Sequence, residues 1–148
     1  RICDLYSQVY GLPSIVLRYF NVYGPREPLK GEYAPVIGLF KRQVKNNKPM
    51  TIVAPGNQRR DFTYIDDVVD ANICAMNKSV KEVGRKIYNV GTGKNYSILE
   101  IADMVGDEKV LIPARPAEVV ETLADISETT KELGWSPKFK LEDMIDSY

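Results

Sequence analysis

Histidine is absent from the 148 residues. Without an imidazole the chain cannot assemble a Ser-His-Asp hydrolytic triad or a histidine-ligated metal site from its own side chains. Net charge is absent as well, because 20 lysines and arginines balance 20 aspartates and glutamates. No bulk field therefore draws nucleic acid or an anionic membrane surface to it. No apolar run approaches the roughly 20 residues of a membrane span, and no secretory signal pattern opens the chain. The expectation is a cytoplasmic protein that engages neither membrane nor nucleic acid. Cysteine is scarce, with 2 residues, Cys3 and Cys74. They are far apart and each sits in a helical pattern with apolar neighbours. Buried free thiols are the expectation, with a disulfide as the alternative.

What is present is one domain's length of chain, enough to bury a core. There is no initiator methionine, and Arg1-Ile2-Cys3-Asp4-Leu5-Tyr6 reads as a helix already under way. The polypeptide is therefore expected to be a piece of something longer. Apolar residues at Ile2, Leu5, Tyr6, Val9 and Tyr10 keep a helical spacing, and Gly11 and Pro13 end it. Ser14-Ile15-Val16-Leu17 is almost wholly apolar, as a strand buried on both faces of a parallel sheet reads. Arg18 to Arg26 follows as an irregular segment rich in aromatics and hydrogen-bonding groups. Loops at the carboxyl ends of parallel strands bind ligands in open α/β sheets; an aromatic plug sealing the sheet edge is the competing reading.

Beyond a Pro/Gly-rich stretch, Val36, Ile37, Phe40 and Val44 mark an amphipathic helix of about three turns that stops near Asn47 and Pro49. Residues 50–53 read as a strand, residues 86–90 and 110–112 as two more. Ser97 and Glu100 form a capping-box pattern that opens a helix ended by Gly106. Val69, Ile73, Met76 and Val80 are expected to line one face of another helix, with Asp66 as its N-cap and Asp67 in its first turn. Ser127 is expected to cap a short helix ending at Leu133-Gly134, and Leu141 to Ile145 begins a last one. Gly91-Thr92-Gly93 after a strand imitates a dinucleotide fingerprint, but the third glycine position holds Tyr96, so it reads as turn geometry.

The stretch that organises the rest is Gly56-Asn57-Gln58-Arg59-Arg60-Asp61-Phe62-Thr63-Tyr64. A turn feeds two adjacent guanidiniums into an extended aromatic run. Arginine is the side chain best shaped to clamp phosphate through paired hydrogen bonds, which makes Arg60 the candidate for gripping a nucleotide diphosphate. Two solvated surface charges are the plainer alternative.

Four segments carry a resemblance: Leu17-Arg18-Tyr19-Phe20-Asn21-Val22-Tyr23-Gly24-Pro25-Arg26, Arg60-Asp61-Phe62-x-Tyr64-Ile65-x-Asp67-Val68, Tyr88-Asn89-Val90-Gly91-Thr92-Gly93 and Leu133-Gly134-Trp135-x-Pro137. In this order they resemble the C-terminal half of extended short-chain dehydrogenases/reductases acting on nucleotide sugars, with UDP-glucose 4-epimerases the nearest type. The resemblance implies an α/β chain that is the C-terminal part of an extended Rossmann-type fold. Residues 1–23 would be the last piece of the NAD-binding domain and residues 24–148 the nucleotide-sugar-binding domain.

The family's Gly-rich fingerprint is not in this sequence, and no tyrosine has a lysine four residues later, so no catalytic residue is expected here. NAD would be held mainly by sequence N-terminal to Arg1, with Tyr19 and Phe20 beside the nicotinamide and the sugar. By the same resemblance Asn21, Arg60 and Arg115 contact the diphosphate, Glu118 the ribose hydroxyls, and Tyr33, Pro35 and Val53 the base. The implied protein is an NAD-dependent UDP-sugar 4-epimerase and a homodimer, of which this chain alone would be inactive. A 4,6-dehydratase of the same family and a non-catalytic nucleotide-sugar-binding fragment are the alternatives.

Overall fold

A computed structural model describes residues 2–12, 14–28, 35–78 and 86–148. Tyr33 and Val80 lie outside the described residues. Helix α1 (Ile2–Tyr10) ends at Gly11, whose φ of 64° only glycine adopts without strain, and leads to strand β1 (Val16–Tyr19). Next come β2 (Val22–Tyr23), α2 (Val36–Lys45), β3 (Met50–Val53), β4 (Arg59–Asp61), β5 (Thr63–Tyr64) and α3 (Ile65–Met76). The chain returns through β6 (Ile87–Val90), β7 (Asn95–Ser97), α4 (Ile98–Val105) and β8 (Lys109–Ile112). It finishes with a π-helical turn (Thr129–Leu133) and α5 (Leu141–Met144).

Among the described residues three strand pairs are parallel, β1 with β6, β2 with β5 and β3 with β8, and one, β4 with β7, is antiparallel. Parallel partners need long crossovers, and the span between β1 and β6 is where α2 and α3 are built. Val16 opposes Ile87 and Tyr19 opposes Val90, and the Phe20 amide extends that ladder to the Val90 carbonyl at 2.9 Å.

Two apolar clusters fill the interior. One is built on Ile37 and Phe40 of α2, Met50 and Ile52 of β3, Ile101 and Ala102 of α4, and a ring group of Tyr23, Phe62, Tyr64 and Tyr96. Tyr23 meets Phe62 edge-on, with ring centroids 6.5 Å apart at 84°, the arrangement aromatic quadrupoles favour. Strand alternation sends Met50 and Ile52 inward and leaves Thr51 and Val53 half-buried on the other face. The second cluster packs Val68, Ala71 and Ala75 of α3 on Tyr88 and Val90 of β6, closed by Leu133 and Trp135.

Several expectations change here. The inward face of α3 is Val68, Ala71 and Ala75, whereas Val69, Ile73 and Met76 are exposed. Val68, Ala71 and Ala75 pack on Tyr88 and Val90 of β6, so the bulkier apolar stripe faces out. Tyr64, not Asp66, occupies the N-cap of α3, and no side-chain cap bond forms. Asp67 is fully buried and accepts from the Lys138 and Phe139 amides at 2.9 and 3.2 Å, while its carbonyl accepts the Trp135 indole N–H at 3.0 Å. Burial pushes its carboxyl above the usual range, with those two amides pulling the other way. Glu128, not Ser127, occupies the N-cap of the Thr129–Leu133 turn, and no side-chain cap bond forms there; the Ser127 amide instead donates to Asp125 Oδ1 at 3.0 Å. Both cysteines are free as expected, but neither is buried: Cys3 is exposed and Cys74 half-buried. The capping box is present: Ser97 and Glu100 exchange bonds of 2.6 and 3.1 Å at the start of α4.

Candidate functional site

Strand β4 separates the two neighbouring arginines. Successive side chains of a strand point to opposite faces, and Arg59 and Arg60 follow that rule into different surroundings. Arg59 gives its Nε to Asn95 Oδ1 at 2.8 Å and an Nη2 hydrogen to the Asn95 carbonyl at 2.9 Å, and its Nη1 lies 3.1 Å from Glu100. Its guanidinium is therefore occupied in tying β4 to β7 and α4. Arg60 donates from Nη2 to Glu118 Oε1 at 2.8 Å and from Nη1 to the Arg59 carbonyl at 2.9 Å. A guanidinium has five N–H groups, so Arg60 keeps donors for another acceptor, and its side chain is only 13% exposed. A partly desolvated cation with spare donors is what a phosphate clamp requires.

Asn21 sits directly after β1 and Phe20 with a φ of 24°, a conformation asparagine tolerates better than most residues. Its Nδ2 donates to the Asp61 carbonyl at 2.8 Å and to Thr122 Oγ1 at 3.3 Å. The asparagine amide is thus held one residue from Arg60, with its donors turned to the protein. Thr122 also receives the Asp61 amide at 3.4 Å. The segment around it zips onto Arg59, through Arg59 N to the Val120 carbonyl at 2.9 Å and Thr122 N to the Arg59 carbonyl at 3.0 Å. Glu118 and exposed Arg115 belong to the loop that leads into this zipper. Asn21, Arg60, Glu118 and Thr122 accordingly surround one strand, with Arg115 three residues from Glu118.

The other candidates divide. Tyr19 and Phe20 alternate across the sheet. The Tyr19 hydroxyl donates to Asn72 Oδ1 of α3 at 3.0 Å, whereas Phe20 faces the opposite side, with the Arg18 guanidinium carbon 5.9 Å from its ring centroid. Arg18 in turn donates to Asn89 Oδ1 at 2.8 Å. Pro35 caps the start of α2, and Val53 is half-buried with its carbonyl held by Gln58 at 3.0 Å. Ile52, its neighbour in the sequence, belongs to the core and offers no wall to a ligand.

Asp61 is the residue whose surroundings sequence did not reveal. It is fully buried. Oδ1 accepts the Thr92 amide at 2.8 Å and the Thr92 hydroxyl at 2.7 Å, and Oδ2 accepts the Gly93 amide at 3.0 Å and the Ala124 amide at 3.1 Å. Gly91 fits beside it because a Cβ there would stand 2.3 Å from that of Ala124. Thr92, Thr122 and Ala124 carry no local sequence signal, since they act only through segments brought together by the fold. Among the described residues no group of His, Cys, Asp and Glu is arranged to hold a metal ion, and no helix is long and apolar enough to cross a membrane.

Comparison with known proteins decides the lineage of this arrangement. The family model for NAD dependent epimerase/dehydratase proteins matches residues 1–91. The chain belongs to the NAD dependent epimerase/dehydratase family. It is 37% identical over 147 residues to a putative UDP-glucose 4-epimerase of Methanocaldococcus jannaschii, covering 95% of this chain and 46% of that protein. Its fold is similar to UDP-glucose 4-epimerase of Thermotoga maritima, solved with UDP-glucose, at a TM-score of 0.86, 34% identity, and coverage of 96% of this chain and 46% of that one. UDP-glucuronic acid 4-epimerase of Bacillus cereus, solved with UDP-glucuronic acid and NAD, gives a TM-score of 0.88, 32% identity, and coverage of 98% and 46%. The epimerase-family chain thus spans less than half the length of these relatives. Its mixed α/β fold with parallel strand pairs is that of Rossmann-type members of this family.

Proposed function

We propose that this chain is the nucleotide-sugar-binding part of an NAD-dependent UDP-sugar 4-epimerase, with Arg60 gripping the diphosphate. The observation that carries the reading is the spare donor capacity of a largely buried guanidinium beside an exposed loop bearing a second arginine. A diphosphate brings about two negative charges, and burying them requires cationic hydrogen-bonding partners. Arg60 and Arg115 supply the charge. Glu118 fixes the Arg60 fork through Oε1 and keeps Oε2 to accept from ribose hydroxyls. Asn21 completes the cradle, its longer 3.3 Å bond to Thr122 giving way to a phosphate oxygen. Pro35 and Val53 form the side facing the base; Tyr33, the third candidate, lies outside the described residues.

Residues 1–23 belong, in this reading, to the NAD-binding domain and residues 24–148 to the substrate domain, and the whole enzyme is a cytoplasmic homodimer. Phe20 is the better placed of the two cofactor candidates, since the Tyr19 hydroxyl is tied to α3. The one Gly-x-Gly turn is closed by the Asp61 carboxylate, which already occupies its amides. In this reading hydride chemistry belongs to sequence outside this chain, and binding of the nucleotide to this one.

Calorimetric titration with UDP tests the proposal. Each charge-assisted hydrogen bond contributes roughly 1.5–3 kcal/mol, so Arg60→Ala and Arg115→Ala are each expected to weaken binding at least about tenfold. Unaltered affinity in both variants removes the assignment.

A further inference from the structure

We propose that Asp61 is the resident anion of a backbone nest, and through it the residue that positions Arg60 and Asn21. The turn Gly91-Thr92-Gly93, with Gly93 at a φ of 71°, directs successive amides to one point, the geometry by which glycine-rich turns bind phosphate. Here that point is taken by an internal carboxylate. Three backbone amides and one hydroxyl, all within 3.1 Å, use the acceptor sites of both Asp61 oxygens. No ion pair among the described residues involves this buried group, so hydrogen bonds alone compensate its desolvation.

The consequence reaches the site because Asp61 faces both ways. Its side chain binds the turn after β6 and the Ala124 segment, while its carbonyl holds Asn21 and its amide meets Thr122. Arg60 is its covalent neighbour in a strand of three residues. The carboxylate therefore fixes how β4 lies against the loops following β1 and β6, and with that the direction of the Arg60 guanidinium. The nest itself stands on geometry; its effect on ligand binding rests on the reading of Arg60 as a diphosphate ligand.

Removing the carboxylate vacates a site sized for a small carboxylate, so formate serves as the probe. In Asp61→Ala, the amide resonances of Thr92, Gly93 and Ala124 are expected to shift saturably with sodium formate, and not with equal sodium chloride. The same resonances in the unaltered chain are expected to stay still. UDP affinity in Asp61→Ala is expected to fall by about tenfold or more, and formate to restore part of it. A folded Asp61→Ala chain whose three amides ignore formate overturns the nest. A formate-filled nest with UDP affinity unchanged by Asp61→Ala overturns the positioning role. Failure of the unaltered chain to bind UDP instead overturns the proposed function and leaves the formate result standing. If Asp61→Ala does not fold, Thr92→Val removes one donor and leaves the backbone amides. It is expected to lower UDP affinity by about threefold with the fold retained, and unchanged affinity overturns the proposal.

Discussion

The half of the molecule built on α2, β3 and α4 closes on itself, and the half built on α1, β1, β6 and α3 does not. In the first, Ile37, Phe40, Met50, Ile52 and Ile101 have no exposed surface. In the second, Ile2 is 75%, Val9 61% and Met76 83% exposed, and Ser7 is the one buried residue of α1. The two halves owe their order to different things. The closed half is held by apolar area removed from water where α2 and α4 pack on the inner face of β3. The open half is held from one side only, by a strap from the C-terminal segment: Leu133 and Trp135 lie on α3 and β6, and the Trp135 indole is locked to the Asp67 carbonyl. Two buried aspartates mark the joints. Asp61 gathers the loops around β4, and Asp67 gathers the strap, each by accepting backbone amides from distant sequence.

The strap is the place to break this contrast. Trp135→Ala is expected to cost about 3–5 kcal/mol of stability, through lost burial and the lost indole bond to the Asp67 carbonyl. Denaturant unfolding followed by far-UV circular dichroism reads the loss, and a change below about 1 kcal/mol would show that the strap carries little of the open half. A smaller effect sharpens the contrast between the paired arginines. Arg59→Ala is expected to cost about 1 kcal/mol of stability while leaving UDP affinity within about twofold, because its guanidinium lies on the other face of β4 and ties that strand to β7 and α4. A tenfold loss of UDP affinity in that variant would erase the distinction from Arg60. The smallest effect is expected at Leu5→Ser, within about 0.5 kcal/mol, since that side chain is already 56% exposed. A thermal-melting loss equivalent to about 2 kcal/mol would place α1 in the core after all.

Much of the skeleton was legible. The helix over residues 2–10, the strands at 50–53, 87–90 and 109–112, and the Ser97–Glu100 capping box all follow from periodicity and local bonding. The two- and three-residue strands β2, β4, β5 and β7 were not, because segments so short show no period and exist only by pairing with remote partners. The outward stripe of α3 misled for a related reason. Apolar spacing reports which residues share a helix face, but not which face packs: Val68, Ala71 and Ala75 are the ones that lie on Tyr88 and Val90. At the site, Arg60 was marked by its neighbours in sequence, whereas its pairing with Glu118 and the closure of the glycine turn by Asp61 were not.

Sequence by itself determined the family, the absence of histidine chemistry and the adjacency of Arg59 and Arg60. Which guanidinium ties β4 to β7 and α4, and which is the more buried one beside Glu118, was decided only in three dimensions. A strand points neighbouring side chains to opposite faces, and what waits on each face is set by chain segments that the local sequence cannot see.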